Sequence, residues 1–409
     1  MKNHNNMKKY FFKVLKKNWL PYSTLILIIL SLAINLYLYK KNTKKLNNLM
    51  SSYSKYQDVR KLNAHITEEN KNIKENSKRI FDNFVTITKS KVSQVFSLYY
   101  HQNFIYASST FHNRVVKLDM NLNNIEIMND YGIFEKTVND DGLFFEKNNK
   151  VVGKIINVHS FAFDKMGNMY IGQYIPHDIN DNTAAGLTIV PSACLDKCHE
   201  DDLIHLDNWN GISHIAFDAD EEKLLVADYG NGEFKEGDIY ILDLKNPKVR
   251  KKLSKVSGYN FTKPHMIRYN DSDKFYYALD VSTKKIIIFD KNFNLVKVIS
   301  NNLLKQINKN IKTELFETIA AITFSKNHIF VSDVGNHAIY IFDFSWNLKF
   351  KIEKNQFFSY ENQDALLLQL FDVNELVLNS PFDILFKNDK LYIANTHNDE
   401  IVILKTNKL

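Results

Sequence analysis

The chain has 409 residues, of which 44% are apolar and 13% aromatic, so it can bury a sizeable core and is not a disordered polypeptide. Its net charge of +7 is unevenly distributed: residues 1–79 contain 17 Lys and Arg against 4 Asp and Glu, whereas residues 80–409 contain 36 against 42. A nucleic-acid-binding body needs a basic face that displaces counterions, so this acidic body argues against that class.

The first element along the chain is a segment from Asn18 to Tyr39 without a charged residue, in which Leu and Ile dominate. A helix needs ~20 apolar residues to cross a bilayer, and aromatic residues at both ends favour the interface. We therefore predict a basic cytoplasmic leader at 1–18 and a transmembrane helix at 19–39. A signal peptide is the alternative, but the apolar run is long and no small-residue cleavage site follows it.

Residues 40–79 contain no Gly or Pro and are rich in Lys, Asn, Ser and Glu, which predicts a helical stalk. The apolar residues recur at gaps of 3, 4 and 6, which suits a helix but makes a poor heptad. The stalk is either a coiled coil that forms an oligomer or a solvated spacer. Six lysines precede the span and five follow it, so charge hardly decides the orientation. The short leader resembles a signal anchor of the inner (plasma) membrane, which places residues 80–409 in the periplasm or outside the cell.

Residues 80–409 contain an internal repeat. Each copy has an apolar strand, a polar turn, a second apolar strand that ends in a small and then a polar residue, and a third strand that ends in Asp or Lys. Six copies align, and the aromatic residue near the end of the first strand recurs in five of them at spacings of 54, 52, 55 and 62: Phe163, Phe217, Tyr269, Phe324 and Phe386. Strands with apolar residues on both faces are expected where each sheet packs between two others. The repeat predicts an all-β fold, a six-bladed β-propeller.

Three further elements complete the predicted ring. Residues 84–88 alternate at period two and predict the outer strand that the last copy lacks, which would close the ring and remove an open edge. Two insertions, Asn301–Phe316 and Phe357–Leu378, are predicted to be helical. The polar residues that end the second strands, such as Asp333 and Asn395, are interpreted as turn-capping groups.

A short motif adds a family resemblance. Residues 333–339, Asp-Val-Gly-Asn-His-Ala-Ile, resemble the second half of an NHL repeat, in which an Asp-x-Gly-Asn-His turn precedes the third strand. Degenerate copies lie at Phe111–Lys117 and Asn395–Asn398. The resemblance covers roughly residues 80–409 and implies a six-bladed propeller of NHL type. It says little about chemistry, because that family includes lyases, lactonase-like enzymes, sensors and protein-binding modules.

Polar residues gather where the innermost strands of the predicted blades begin, at the channel mouth where propeller sites lie. Three copies place a histidine within one residue of the same register: His159, His214 and His265. Ser160, Glu317 and Asp383 are further candidates at this mouth. Neutral imidazoles bind zinc and other divalent ions, so the three histidines are candidate ligands for a metal such as Zn or Ca. The alternative is that they line a wet polar channel.

The histidine pattern is similar to that of peptidyl-α-hydroxyglycine lyases, which are NHL-type propellers with zinc histidines at the starts of alternate blades. His159 and His265 match that register, although Val158 replaces the expected proline. The third position is Phe382, which cannot bind metal, and His214 is shifted by one residue on an intervening blade. The resemblance implies a metal-dependent lyase or hydrolase.

The only two cysteines, Cys194 and Cys198, lie in an insertion between the second and third copies. Outside the cytoplasm a small disulfide loop is favoured. A metal site that adds His199 is the alternative, but it lacks a fourth ligand and a recognised zinc spacing.

The favoured function is a membrane-anchored, extracytoplasmic propeller that binds a ligand, a glycan or an envelope protein at its channel mouth. The expected partners are therefore the membrane and an envelope protein, glycan or small molecule, without nucleic acid. The competing class is the metal-dependent enzyme, for which no catalytic residue can be assigned beyond the histidines and Asp383.

Overall fold

The chain divides into two units, Met1–Glu75 and Asn76–Leu409, and a computed structural model describes most of the second. The described residues are 87–110, 114–123, 126–128, 134–136, 157–174, 185–194, 203–218, 223–230, 237–309, 311, 313–353, 356–360, 366–367 and 376–405. The predicted leader, transmembrane helix and stalk lie outside these ranges. Within them, no helix combines the length and apolar character that crossing a bilayer requires.

Six antiparallel sheets, the blades, follow one another around a ring, and the first strand of each blade contacts the first strands of both neighbours. Strand β1 (Ile87–Lys91) belongs to blade 6, blade 1 contains β2 (Val95–His101), β3 (Phe104–Ser109), β4 (Arg114–Asp119), β5 (Glu126–Met128) and β6 (Phe134–Lys136), and blade 2 contains β7 (Val158–Phe163), β8 (Met169–Gln173), β9 (Ala185–Val190) and β10 (Ile204–Trp209). Blade 3 contains β11 (Ile212–Phe217), β12 (Lys223–Asp228), β13 (Asp238–Asp243) and β14 (Asn246–Lys252), and blade 4 contains β15 (Pro264–Asn270), β16 (Phe275–Asp280), β17 (Lys285–Phe289) and β18 (Leu295–Ile299). Blade 5 contains β19 (Ile319–Phe324), β20 (His328–Asp333), β21 (Ala338–Asp343), β22 (Leu348–Glu353), β23 (Gln356–Ser359) and β24 (Leu366–Leu367), and β25 (Pro381–Lys387), β26 (Lys390–Asn395) and β27 (Glu400–Lys405) complete blade 6. The helices are α1 (Ser254–Ser257) and α2 (Asn301–Ile307), and 3₁₀ turns lie at Ser192–Cys194 and Thr396–Asn398. The predicted six-bladed, all-β architecture is confirmed.

The core lies between the blades rather than within any one of them. Every side chain of β7 and β8 is buried, as expected when a sheet is covered on both faces. The largest apolar cluster joins blades 4, 5 and 6, and within it the ring of Phe330 stacks on that of Phe386 at a centroid distance of 5.3 Å. Burial of each such side chain stabilises the fold by ~1.5–3 kcal/mol.

Four hairpins share one turn, which starts at an aspartate and ends at an asparagine four residues later. The aspartate carboxylate accepts the N–H of the second and fourth following residues in each case: Asp119, Asp164, Asp290 and Asp343. The third following residue has a positive φ, for example 82° at Gly167 and 68° at Trp346. A local side-chain bond of this kind offsets the cost of the left-handed residue.

In blades 3 to 6 the polar residue at the end of the second strand holds the loop that leads into the first strand of its own blade. The carboxylate of Asp333 accepts the N–H groups of Glu317 and Thr318 at 2.7 and 2.9 Å. The side-chain oxygen of Asn395 accepts the N–H of Asn379 at 2.7 Å. These contacts confirm the turn-capping interpretation and fix where the innermost strands begin.

The ring is closed by a strand from the start of the domain, as predicted. β1 pairs with β27 from Ile87 opposite Leu404 to Lys91 opposite Glu400. The closing strand begins at Ile87, three residues later than the predicted residues 84–88, of which 84–86 lie outside the described residues. The ammonium group of Lys89 lies 3.4 Å from the Glu400 carboxylate across the closing pair.

The predicted insertion helices are only partly correct. In Asn301–Phe316, helix α2 covers the first seven residues, and Ser300 caps it by accepting the N–H of Leu303. The prediction for Phe357–Leu378 is wrong over the described residues, because Gln356–Ser359 and Leu366–Leu367 are strands that extend the edge of blade 5. The unpaired N–H and C=O groups of an edge strand offer such a segment a partner, which spacing along the sequence does not reveal.

Candidate functional site

All six innermost strands share an irregularity at the end where they begin. The register against the second strand shifts there, so that one residue, or two in blade 1, falls outside the hydrogen-bond ladder. These bulged residues are Phe96 with Ser97, His159, Ser213, His265, Ala320 and Phe382, in blades 1 to 6 respectively. A bulge re-aims a side chain, and one bulged residue from every blade lines a single cavity at the mouth of the channel.

The mouth cavity has a volume of about 250 Å³. Above the bulged residues, its wall is formed by the residue that follows the second strand in blades 2 to 5, together with two residues at the start of blade 5: Tyr174, Tyr229, Val281, Val334, Thr318 and Ile319. The backbone N–H of Tyr229 donates to the carbonyl of Gly211 at 2.8 Å, and the other three wall positions make the equivalent bond. None of the described lining residues is an acid, a lysine or an arginine.

The two histidines of the mouth are held in the same way. The Nδ1–H of His159 donates to the carbonyl oxygen of Ser213 at 2.8 Å, and that of His265 donates to Ala320 at 2.8 Å. A carbonyl oxygen only accepts, so Nδ1 carries the proton and the neutral ring keeps an unprotonated Nε2. Each histidine is therefore hydrogen-bonded to the next blade through Nδ1 and keeps Nε2 as an acceptor for a ligand in the cavity.

Burial keeps both imidazoles neutral. It lowers the pKa of His159 from the ordinary 6.5 to about 3, with the nearby His265 adding to the effect. It lowers the pKa of His265 to about 4, against the opposing hydrogen bond to Ala320. Because both pKa values lie far below 7, neither histidine of the mouth cavity is charged at neutral pH.

Three rings from alternate blades face one another across the mouth. The ring centroids of His159 and His265 are 6.1 Å apart, and that of Phe382 lies 5.8 Å from the first and 5.0 Å from the second. Phe382 therefore occupies the third corner of the triangle, where an imidazole would complete a three-histidine site. Among the described residues no three His, Cys, Asp or Glu side chains come together in a group able to hold a metal ion. Within the described lining the mouth supplies two imidazole nitrogens, one fewer than a three-histidine metal centre needs.

Three more aromatic rings lie around this triangle. Phe96 lies edge-on to Phe382 at 4.4 Å, and Tyr174 lies 5.4 Å from the His159 ring. Tyr229 lies 6.2 Å from His265 and 6.4 Å from Tyr174. Burial raises the pKa of both tyrosines, so their hydroxyls stay protonated.

His214 and Ser160 do not line the mouth cavity. Each directly follows a bulged residue and lies within the ladder, where His214 pairs with Ala227. The Nδ1 of His214 and the Oγ of Ser160 are buried without a hydrogen-bond partner in the described part of the chain. Burial lowers the pKa of His214 well below 6.5, and the nearby Arg268 charge lowers it further.

Asp383 also lies outside the cavity, in a bonded network that joins four blades. Its carboxylate accepts the N–H of Leu98 in blade 1 at 2.7 Å and lies 3.5 Å from the Arg268 guanidinium of blade 4. Arg268 donates in turn to the carbonyls of Ile322 and Ile384, both at 2.8 Å. Burial raises the pKa of Asp383, and Arg268 opposes that shift. These bonds give Asp383 a structural role across the channel.

The remaining candidates lie elsewhere. Glu317 is exposed, and its neighbour Thr318 lines the cavity instead. Cys194 ends a 3₁₀ turn, whereas Cys198 and His199 lie outside the described residues, so the disulfide and its metal alternative stay predictions. Sequence reasoning missed Tyr174 and Tyr229. The signal for them was available, because each directly follows the polar residue that ends a second strand.

No protein-family model matches the chain, and no curated protein matches it. Solved structures of related shape include an auxiliary nutrient binding protein from Bacteroides thetaiotaomicron, with 11% identity over 77% of this chain and 69% of that chain and a TM-score of 0.49. One of the same description from Bacteroides ovatus has 11% identity over 79% and 73% of the two chains, with a TM-score of 0.48. Virginiamycin B lyase from Staphylococcus aureus has 9% identity over 78% and 99%, with a TM-score of 0.44. The assignment of this protein to the six-bladed β-propellers rests on its own sheet topology.

Proposed function

We propose that the protein is a binding module that takes a small uncharged ligand, or the uncharged end of a larger one, into the mouth cavity. The observation that carries this proposal is the composition of the cavity, whose described lining combines aromatic walls and two neutral imidazoles without a charged side chain. Pockets of ~300–1,000 Å³ are usual for small molecules, so a cavity of about 250 Å³ suits a single ring.

The N-terminal sequence supports a location for this binding module. The uncharged segment at 19–39 is a membrane anchor, with the leader in the cytoplasm and the propeller in the periplasm or outside the cell. The ligand is then a small molecule, a glycan or part of an envelope protein. The Asp333 to His337 turn supports placing the propeller among the NHL type.

The test uses the full chain in detergent and a library of uncharged ring compounds followed by ligand-observed NMR. Tyr229→Ala removes one aromatic wall, and we expect the affinity of mouth-binding compounds to fall ~10- to 100-fold, the effect of burying one large apolar side chain. Tyr100→Ala is the matched control, because Tyr100 lies near the far end of β2, away from the mouth. Compounds that bind both variants equally would place the binding outside the mouth and contradict the proposal.

The metal-dependent enzyme keeps one observation in its favour, since both histidines offer an unprotonated Nε2 to the cavity. That function requires a stoichiometric divalent ion in the purified protein, lost in His159→Ala and measured by elemental analysis. With Phe382 at the third corner, we expect less than one ion per chain. A full equivalent that disappears in the variant would favour the enzyme over the binding module.

A further inference from the structure

The mouth cavity contains two acceptors that the protein does not satisfy. The Nε2 atoms of His159 and His265 have no hydrogen-bond donor among the described residues, where each ring bonds only through Nδ1 to a backbone carbonyl. Their rings stand 6.1 Å apart, close enough for one ligand to reach both nitrogens. A ligand that fills the cavity displaces water from both nitrogens. It therefore has to supply at least two hydrogen-bond donors, because an acceptor left without a donor costs free energy.

The absence of a charged lining residue restricts the ligand further. A buried ammonium or carboxylate needs a partner of opposite charge, and the described lining supplies none. Aromatic faces attract cations, but a quaternary ammonium has no hydrogen to donate to the two imidazoles. The donors are therefore hydroxyl or amide groups of an uncharged ligand.

The aromatic walls require an apolar surface on the same small ligand. The rings of Phe96 and Phe382 meet edge to face at a centroid distance of 4.4 Å, and those of Tyr174 and Tyr229 do so at 6.4 Å. The hydroxyls of the two tyrosines have no hydrogen-bond partner in the described ranges, so the rim adds two groups that donate or accept. A ring with C–H faces and hydroxyls around its edge matches this alternation of apolar and polar surface.

We propose that the mouth cavity binds a neutral sugar ring, the exposed end of a glycan, whose hydroxyls donate to Nε2 of His159 and of His265 while its C–H face lies against the aromatic walls. This inference rests on the proposed binding function and names its ligand class. One ring fills the cavity, and further sugar units of a glycan extend through the open mouth.

The experiment compares three classes of probe by saturation-transfer NMR and calorimetry on the full chain. The sugars are the methyl glycosides of glucose, galactose, mannose and N-acetylglucosamine, and the comparison compounds are cyclohexylmethanol and cyclohexylammonium. We expect at least one glycoside to bind more tightly than both cyclohexyl compounds. In His159→Phe and in His265→Phe, which keep a ring but lose the acceptor, its affinity should fall ~3- to 10-fold. Tyr100→Ala should leave it unchanged.

The possible failures are distinguishable. If cyclohexylammonium binds at the mouth more tightly than every glycoside, the sugar inference is wrong and the binding function stands. The same holds if a glycoside binds but neither His→Phe variant weakens it, because the imidazoles then do not accept its hydroxyls. If no probe and no library compound responds to Tyr229→Ala, both the inference and the binding function fail.

Discussion

Arg268 illustrates how single side chains join separate blades. Its guanidinium donates to two backbone carbonyls of other blades and lies beside the buried Asp383 carboxylate. Asp383 in turn accepts a backbone N–H from β2. The pair therefore links the first strands of blades 4, 5, 6 and 1. Among the described residues, neither Arg268 nor Asp383 forms a second ion pair.

Removal of one member of this pair is expected to be costly. Arg268→Ala leaves the Asp383 carboxylate buried without compensation, and we expect a loss of ~3–5 kcal/mol in the free energy of unfolding, measured in urea. The double variant Arg268→Met with Asp383→Asn should recover part of that loss, because it removes both charges. Lys326→Ala, at an exposed lysine, is the control. Equal stability of the Arg268 single variant and the wild type would show that water compensates the carboxylate.

At the residue scale the sequence predicted two of the cavity side chains. His159 and His265 were recognisable because three copies of the repeat place a histidine near one register. His214 shared that signal, yet one residue decides between a bulged position and the ladder, and the shift depends on pairing between strands. Phe96 was missed for a related reason, since the first copy was aligned only from its second strand.

Secondary-structure elements show the same division between local and distant information. Strands with apolar residues on both faces were predictable, and so was the strand that closes the ring. The edge strands β23 and β24 were not, since their apolar residues also fit helical spacing and only the neighbouring β22 provides the bonds that make them strands. Contacts between distant segments decide such cases.

The closing strand gives a prediction at this scale. Deletion of residues 80–90 removes most of β1 and leaves the edge of β27 unpaired, so we expect aggregation seen by light scattering and a lower Tm. The deletion is made in a chain that already lacks residues 1–79, so the variant begins at residue 91. The chain that begins at residue 80 is the matched control, because it also lacks residues 1–79 but keeps the strand. A monomeric deletion variant with an unchanged Tm would mean that blade 6 is stable without its outer strand.

At the scale of the whole molecule, two segments of opposite net charge are joined, and the histidines at the centre of the ring have lowered pKa values. Residues 1–79 are strongly basic and the remainder is acidic, so the overall charge describes neither part. In the ring, the pKa values of His159, His214 and His265 all lie below 6.5. The positive charge of Arg268 also disfavours protonation of His214.

Stability should therefore depend on pH over a defined range. At about pH 8 and above these histidines are neutral in both states, so they do not affect the pH dependence. As the pH falls towards about 4 for His265 and about 3 for His159, the unfolded chain binds protons that the folded ring does not. The free energy of unfolding should then fall by up to ~1.4 kcal/mol per pH unit for each histidine.

Urea unfolding between pH 7.5 and 4.5 measures this dependence. Asp290 and Asp343 have lowered pKa values and add their own losses mainly below that range. Burial raises the pKa of Asp228 and of Asp383, so these two groups take up protons in the folded ring and oppose the histidine loss. His159→Phe should show a shallower slope than the wild type. An equal slope in His159→Phe and the wild type would mean that the His159 imidazole takes up its proton as readily in the folded ring as in the unfolded chain.

The six bulges have a consequence for how such a protein can change. The bulged residues of blades 2 to 4 bond a neighbouring blade, since His159, Ser213 and His265 each donate to a carbonyl there. Phe382 differs, because it lies outside the ladder and its ring contacts are with other residues of the mouth. Substitution at Phe382 can therefore alter the chemistry of the mouth without altering register. At this position ligand preference and foldability are separable traits, and selection can revise the first while the second is preserved.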